Sequence, residues 1–366
     1  MKSSWNLYRR QIEQHLCQIT GRDHALLTGR GAAGIEAALR ARGLVNAAVG
    51  IPANTCYIVL WAILRSGNLP VLLDVNPQTG MLDVDSIKQP LAALIPCHLY
   101  GLPAPMAQIT AWAQARDVFL IEDAALAIGG SSDGRANGAW GDVSIFSFGP
   151  GKVVDHYLGG AVLTDDPHLA EGIHAWLETL PEWDDYLVDL SNQWLALYWA
   201  LHQYDDRDPR LAGFYPTLYA LYNPIVSFRL PDDDANGLLN KLHALEEDRL
   251  RRLDCAALYD AAFNVAGLET LPRPPGSTLW AYPLLTHADE RDDLLHALWD
   301  AGVHEAARWY PSLQPMRAAL CPAAAPNPSP NADALAGRVI TLPVHAGIDA
   351  KRVRELAAVV SDETCK

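Results

Sequence analysis

One feature constrains this chain more than any other. Through its first half, short apolar runs alternate with stretches of helical periodicity. His24–Thr28, Ala48–Ile51, Pro70–Asp74, Ala92–Pro96, Val118–Glu122, Val143–Phe148 and Ala161–Thr164 read as buried strands. Ala32–Arg42, Cys56–Ser66 and Pro105–Arg116 read as helices between them. Apolar strands need cover on both faces, and intervening helices provide it. The pattern predicts a mostly parallel sheet flanked by helices. Gly67 and Pro70, then Gly101, Pro103 and Pro105, punctuate the joints.

The pattern changes from Asp166 to Tyr222, where Trp176, Trp183, Trp194 and Trp199 fall among tyrosines, leucines and aspartates. This stretch reads as helices with aromatic faces. It is either a packed connection or an interface or substrate lid. Ala235–Ala262 reads as one long charged helix. A smaller α/β unit follows, with strands at Thr278–Leu285 and Arg338–Val344 and helices at Glu290–Ala301 and Ala350–Val360. Cys321–Pro330 reads as a Pro-rich loop. The expected class is α/β, with a large domain over residues 1–232 and a small C-terminal domain over 233–366.

Composition narrows the function. Of 366 residues, 50% are apolar and 19% charged, which suits a globular protein. With 28 basic and 43 acidic side chains the net charge is −15, the wrong sign for a nucleic-acid footprint. No run approaches the ~18 apolar residues of a membrane span. The start, MKSSWNLYRRQIEQHL, has no apolar core or cleavage site, so it is not read as a signal peptide and a cytoplasmic protein is expected. Cys17, Cys56, Cys97, Cys255, Cys321 and Cys365 lie far apart, with no CxxC pair and no disulfide framework. The histidines show no metal-ligand spacing, and no metal is expected.

Thr28–Gly34 contains a literal GxGxxG between a strand and a helix. The dinucleotide reading also needs an acidic residue ~20 positions on. Between Glu36 and Asp74 there is none. A glycine-rich turn into a helix N-terminus remains, and such a turn can hold the phosphate of any cofactor. A plain turn is the other reading.

Phe119–Ala125 is an apolar strand ending in Glu122 and Asp123. Ligands of open α/β sheets bind at such ends, and alternation lets one of the two carboxylates face the site. Alone, Asp123 reads as a helix cap. Lys152 follows the next strand on a Gly149-Pro150-Gly151 turn and is aimed at the same mouth. Alone, it reads as a surface lysine. Together with a phosphate turn, the two suggest pyridoxal phosphate chemistry. That cofactor needs a Schiff-base lysine, a carboxylate to keep the pyridine nitrogen protonated, and a phosphate cradle. The displaced lysine can then shuttle the substrate proton.

At this point the chain resembles the DegT/StrS-type sugar aminotransferases, a branch of the fold-type I pyridoxal phosphate enzymes. The resemblance runs through most of the chain. It is carried by Ile51–Thr55, Pro70–Asp74, Ile95–Gly101, Ile121–Ala125, Gly141–Phe148, Lys152 and Gly159–Val162, and returns in Ser227–Tyr259, Trp309–Pro311 and Leu342–Ile348. It implies Lys152 as the Schiff-base lysine, Asp123 at the pyridine nitrogen and Ser147 on the phosphate. Gly31 and Ala32 take the place of a Gly-Thr phosphate turn, with the hydroxyl lost. Ser227 stands where the family has an Asn that reaches the phosphate from the partner subunit, which implies a homodimer with shared sites. Cys56 and Tyr57 stand where an aromatic residue stacks on the ring.

The implied activity moves an amino group from an amino acid, glutamate above all, to a keto sugar that is nucleotide-linked. The departures are Leu126, Val153, the loop Asp155–Gly160, Trp309 in place of a His, and the long 166–222 connection. They keep open a second reading, a pyridoxal phosphate enzyme of specialised metabolism acting on a non-sugar amine or carbonyl compound. A catalytically silent regulatory or scaffold relative is a third. A dehydrating branch of the family replaces the lysine by His, and Lys152 argues against it. By position His156 and Tyr157 could touch substrate, as could Trp309 and His345. Arg229 reads as a carboxylate or phosphate ligand or as a surface ion pair. His98 and Tyr100 read as supports of the sheet near the site.

Overall fold

All seven apolar runs pair into one sheet. The structure, a computed structural model, describes residues 2–202, 208–230, 235–266 and 268–364. In chain order come α1 (Lys2–Thr20), β1 (His24–Thr28), α2 (Gly31–Ala41), β2 (Ala48–Pro52), α3 (Tyr57–Arg65), β3 (Leu69–Leu73), β4 (Ala93–Leu94), α4 (Met106–Gln114) and β5 (Phe119–Asp123). A small hairpin, β6 (Ser131–Ser132) and β7 (Arg135–Ala136), leads to β8 (Val143–Ser147) and β9 (Gly160–Thr164). The sheet order is β1-β9-β8-β5-β4-β2-β3. Only β9 runs against its neighbours; the other pairs are parallel. Asp123 and Ser147 thus end adjacent parallel strands, at the edge where such sheets bind ligands.

The glycines of the GxGxxG turn serve close packing. A Cβ at Gly34 would lie 2.7 Å from Val162 Cγ2, so α2 rests directly on the sheet. Glu36 on α2 is 1% exposed and is held by Arg40, Arg65 and the Ser227 hydroxyl.

The aromatic connection forms α5 (Pro167–Leu177), α6 (Asp185–His202) and α7 (Tyr215–Tyr222). Asp166 caps α5, accepting from the N–H groups of His168 and Leu169. Trp194 and Tyr198 of α6 share one core with Tyr57 and Trp61 of α3.

The long helix expected at Ala235–Ala262 is two helices, α8 (Ala235–His243) and α9 (Leu245–Ala266), parted at Ala244. The two halves pack on different partners, α8 on α1 and α9 on the C-terminal helix, so the axis must change. The chain continues as β10 (Glu269–Thr270), β11 (Tyr282–Leu285), α10 (Arg291–Asp300), α11 (Gln314–Leu320), α12 (Pro330–Arg338), β12 (Val339–Leu342) and α13 (Ala350–Thr364). β10, β11 and β12 form an antiparallel sheet.

The expected boundary between residues 232 and 233 lies outside the described residues. The apolar core crosses from one sheet to the other, with Leu94, Tyr100 and Leu120 in one cluster with Leu279, Tyr282 and Val339. Each such fully buried side chain contributes about 2 kcal/mol of transfer free energy. Two helices not foreseen from the sequence, α11 and α12, dock on β3. Arg317 Nε donates to Pro70 O at 2.9 Å, and Asp74 accepts from Ala332 N at 2.9 Å at the start of α12. Cys17, Cys56, Cys97, Cys255 and Cys321 are free thiols, and Cys365 lies outside the described residues. Among the described residues no helix is long and apolar enough to cross a membrane.

Candidate active site

Alternation along β5 separates its two terminal carboxylates. Glu122 turns away from the mouth into a fully buried nest. Its Oε1 accepts from His98 Nε2 at 2.9 Å and Gly138 N at 2.8 Å, and its Oε2 from Trp140 N at 2.9 Å and Ser144 Oγ at 2.8 Å. Ala104 N–H donates to His98 Nδ1 at 3.0 Å, which puts the imidazole proton on Nε2. Burial pushes the Glu122 carboxyl up, but His98 and the backbone donors outweigh it and hold it below its ordinary value. His98 therefore supports the strand end, and Tyr100 packs behind it against Tyr310.

Asp123 faces the other way and is 3% exposed. Its Oδ1 accepts from Ala125 N at 3.0 Å. Burial pushes this carboxyl up, opposed by that hydrogen bond and by the charge of Lys152. Lys152 itself sits on the turn after β8, its N–H donating to Gly149 O at 3.2 Å. Asp155 ties the loop by accepting from Gly151 N at 2.7 Å and Tyr157 N at 3.1 Å. The indole of Trp280 holds Gly151 O from the opposite side.

These groups face one cavity of about 470 Å³, within the usual range for small-molecule sites. The β1–α2 turn closes one side. A Cβ at Gly31 would lie 3.2 Å from Phe146 O and from Ser147 Cβ, so glycine lets the turn approach β8. Aromatic rings close the other side. Tyr57 stacks on Tyr198 at 4.4 Å and meets Trp194 at 5.5 Å. Tyr198 lies parallel to Trp309 at 6.0 Å, and Tyr310 stacks on Trp280 at 5.9 Å. Burial pushes the phenols of Tyr57 and Tyr310 and the thiols of Cys56 and Cys97 up, which keeps all four neutral at neutral pH.

Nine residues singled out from the sequence line this cavity: Lys152, Asp123, Ser147, Gly31, Ala32, Cys56, Tyr57, Tyr157 and Trp309. Three do not, each for a physical reason, and neither does Ser227, which was expected to face the partner subunit's site. Ser227 is 2% exposed and donates its hydroxyl to Glu36 Oε2 at 2.6 Å within its own chain. Arg229 pairs with Glu182 at 2.5 Å, which is the surface ion pair. His345 is exposed in a separate hollow beside Glu305 and Arg352, accepting from Gly347 N at 3.2 Å. His156 is bypassed because the Asp155 turn presents Tyr157 to the cavity instead. The sequence reading missed Arg30, Trp194, Tyr198, Trp280 and Tyr310. Arg30 stood inside a motif read for its glycines. Trp194 and Tyr198 stood at i, i+4 spacing, which places them on one helix face.

A family model described as the DegT/DnrJ/EryC1/StrS aminotransferase family matches residues 4–361. The chain belongs to this family. The erythromycin biosynthesis sensory transduction protein EryC1 of Saccharopolyspora erythraea is 30% identical over 336 residues, covering 88% of this chain and 80% of that protein. A solved DegT DnrJ EryC1 StrS aminotransferase from Brucella abortus is 25% identical, with a TM-score of 0.74 over 96% of this chain and 89% of its own. S. venezuelae DesV, solved in complex with a ketimine intermediate, is also 25% identical, with a TM-score of 0.77 over 97% of this chain and 88% of its own.

The chain is thus a pyridoxal phosphate-dependent aminotransferase of fold type I. The cavity of this aminotransferase fits the group. It offers an amine at Lys152, a buried carboxylate at Asp123, a hydroxyl at Ser147, and a buried Arg30 Nε with no hydrogen-bond partner.

Proposed function

We propose that this aminotransferase moves an amino group from glutamate to a keto sugar, and that the sugar is nucleotide-linked. The observation that carries the reading is the convergence of Lys152, Asp123 and Ser147 on one cavity beside the Gly31–Ala32 turn. Pyridoxal phosphate, when bound, supplies an aldehyde and an electron-withdrawing ring that takes up negative charge at the substrate carbon. Lys152 Nζ would hold the aldehyde and would move the proton at the substrate carbon. The Asp123 carboxylate keeps the ring nitrogen protonated. Ser147 Oγ and the α2 N-terminus hold the phosphate. Cys56 and Tyr57 would flank the ring, and the aromatic wall would limit water around it.

The same proposal places the protein in the cytoplasm, as a homodimer with shared sites. It divides the chain into a large domain over 1–232 and a small one over 233–366. One observation favours a second reading. Leu126, Trp194, Leu195 and Tyr198 make the cavity wall strongly apolar, which suits a non-sugar carbonyl compound as well as a sugar ring.

The test is the visible spectrum of the purified protein with pyridoxal phosphate, before and after glutamate, beside Lys152→Ala. A band of lysine-bound cofactor that glutamate bleaches, and that Lys152→Ala lacks, is expected. Turnover of nucleotide-linked keto sugars with glutamate then supports the first reading, and turnover only of other carbonyl compounds supports the second. A wild-type protein with no band would instead select the catalytically silent relative.

A further inference from the structure

We infer that Arg30 is the cationic ligand of the cofactor phosphate. The inference rests on the cofactor seat proposed above and names a group that neither motif nor family resemblance supplied.

Charge balance within the cavity is the first argument. Among the described residues, Arg30 and Lys152 are the only cationic side chains that line it, and Asp123 is the only acidic one. A phosphate monoester carries roughly −1.5 to −2 charges at neutral pH. In so apolar a cavity that charge needs a counter-ion. Lys152 is committed to the aldehyde and Asp123 has the wrong sign. Arg30 remains.

Placement is the second argument. Arg30 is the residue immediately before α2, in extended conformation (φ −149°, ψ 157°). Its backbone bridges to Gly159. It thus adjoins Gly31 and Ala32, the turn that approaches Ser147. A guanidinium here adds charge and directed donors to a helix N-terminus, whose dipole favours the same anion.

Incomplete satisfaction is the third. Arg30 Nη2 donates to Ser191 Oγ at 3.1 Å, and the guanidinium lies 5.6 Å from the Phe228 ring centroid. Its Nε is buried and has no partner. Buried polar groups are nearly always paired, so an unused guanidinium donor on a side chain that lines the cavity calls for a partner. Arg22 shows the contrast. It is the more deeply buried of the two, 6% exposed, and its nitrogens are engaged by Gly138 O, Asp165, Gly141 O and Ser144. The other side chains near the turn cannot take the role. Ala32 has no hydroxyl, and Ser227 of the same chain gives its own to Glu36.

The experiment compares pyridoxal phosphate with pyridoxal, which has the same ring and aldehyde but no phosphate. Dissociation constants come from titrating the band of lysine-bound cofactor in wild type, Arg30→Ala, Arg30→Gln and Arg30→Lys. Circular dichroism checks folding. Arg30→Gln keeps a donor for Ser191 if Arg30→Ala does not fold. The expected result is a roughly tenfold to hundredfold weaker binding of pyridoxal phosphate in the Ala and Gln variants. Pyridoxal binding is unchanged, and Arg30→Lys recovers part of the loss. Equal weakening of both compounds would reduce Arg30 to a structural tie between α2 and α6. Unchanged cofactor binding with a raised KM for glutamate would move it to the substrate. Either result overturns the inference alone. A band that persists in Lys152→Ala overturns the seat itself, and the inference with it.

Discussion

His98 Nε2 donates to Glu122 Oε1 at 2.9 Å, directly behind the residue that faces the cofactor cavity. Both side chains are fully buried. The pair anchors Glu122 on one face of the strand end, and alternation turns Asp123 to the other. Its consequences can be measured.

Glu122 should govern part of the acid stability. Its folded-state pKa lies below the ordinary value of 4.5. Its stabilisation is therefore complete above that value and is lost as pH falls through the lower, folded one. In Glu122→Gln the amide NH2 must face a backbone N–H wherever it turns, Gly138 N on one side or Trp140 N on the other. The expected cost is about 3 kcal/mol at neutral pH. Urea unfolding across the acid range should show that the variant has lost this part of the pH dependence. An acid limb identical to wild type would count against the nest.

Asp123 should make cofactor affinity fall with acidification. Burial raises its carboxyl above 3.8, so it takes up a proton earlier than an exposed Asp. Once neutral, it no longer offsets the protonated ring nitrogen. Affinity for pyridoxal phosphate should decline as pH drops through that raised value. In Asp123→Asn binding should be weaker and this pH dependence absent. Titrations of both proteins at several pH values decide it, and parallel curves would refute the pairing.

Trp194 should be worth more than its position on a connecting segment suggests. It is 6% exposed and meets Tyr57, Trp61 and Tyr198. Trp194→Ala should cost about 3–5 kcal/mol in denaturant unfolding. Trp194→Phe, which keeps a ring in place, should cost clearly less. Equal losses would mean that the ring contacts contribute little.

Gly29 should tolerate no side chain. A Cβ there would lie 2.2 Å from Phe228 O and 2.5 Å from Phe228 Cδ2. Gly29→Ala should destabilise by about 2 kcal/mol or more, since the obstructing atom is backbone. Gly213 meets nothing within 4 Å, so Gly213→Ala serves as the neutral control. Melting temperatures of the two variants give the comparison.

The strands were legible because each is a short apolar run between breakers, and a buried parallel strand has little other way to be written. Lys152, Asp123 and Ser147 were legible because each ends, or closely follows, such a run. What escaped depends on partners distant in sequence. Nothing near Ser227 announces that Glu36, on α2, will take its hydroxyl. For Arg229 the surface ion pair was one of two open readings, and Glu182 supplies it. The break at Ala244 follows from what α8 and α9 pack against, and local helix propensity is silent on that. Trp194 and Tyr198 were visible as aromatic residues, but their place over the cavity is a tertiary fact.

The aromatic wall has a consequence for how this protein can change. The groups proposed for the chemistry sit at the ends of β5 and β8 and on the turn that follows. Much of the rest of the cavity wall comes from α6, through Ser191, Asn192, Trp194, Leu195 and Tyr198. Reaction and recognition are thus written in separate stretches of chain. Substitutions at Asn192 and Leu195, the exposed α6 positions on the cavity wall, are expected to change which compound is accepted while Lys152, Asp123 and Ser147 keep their places.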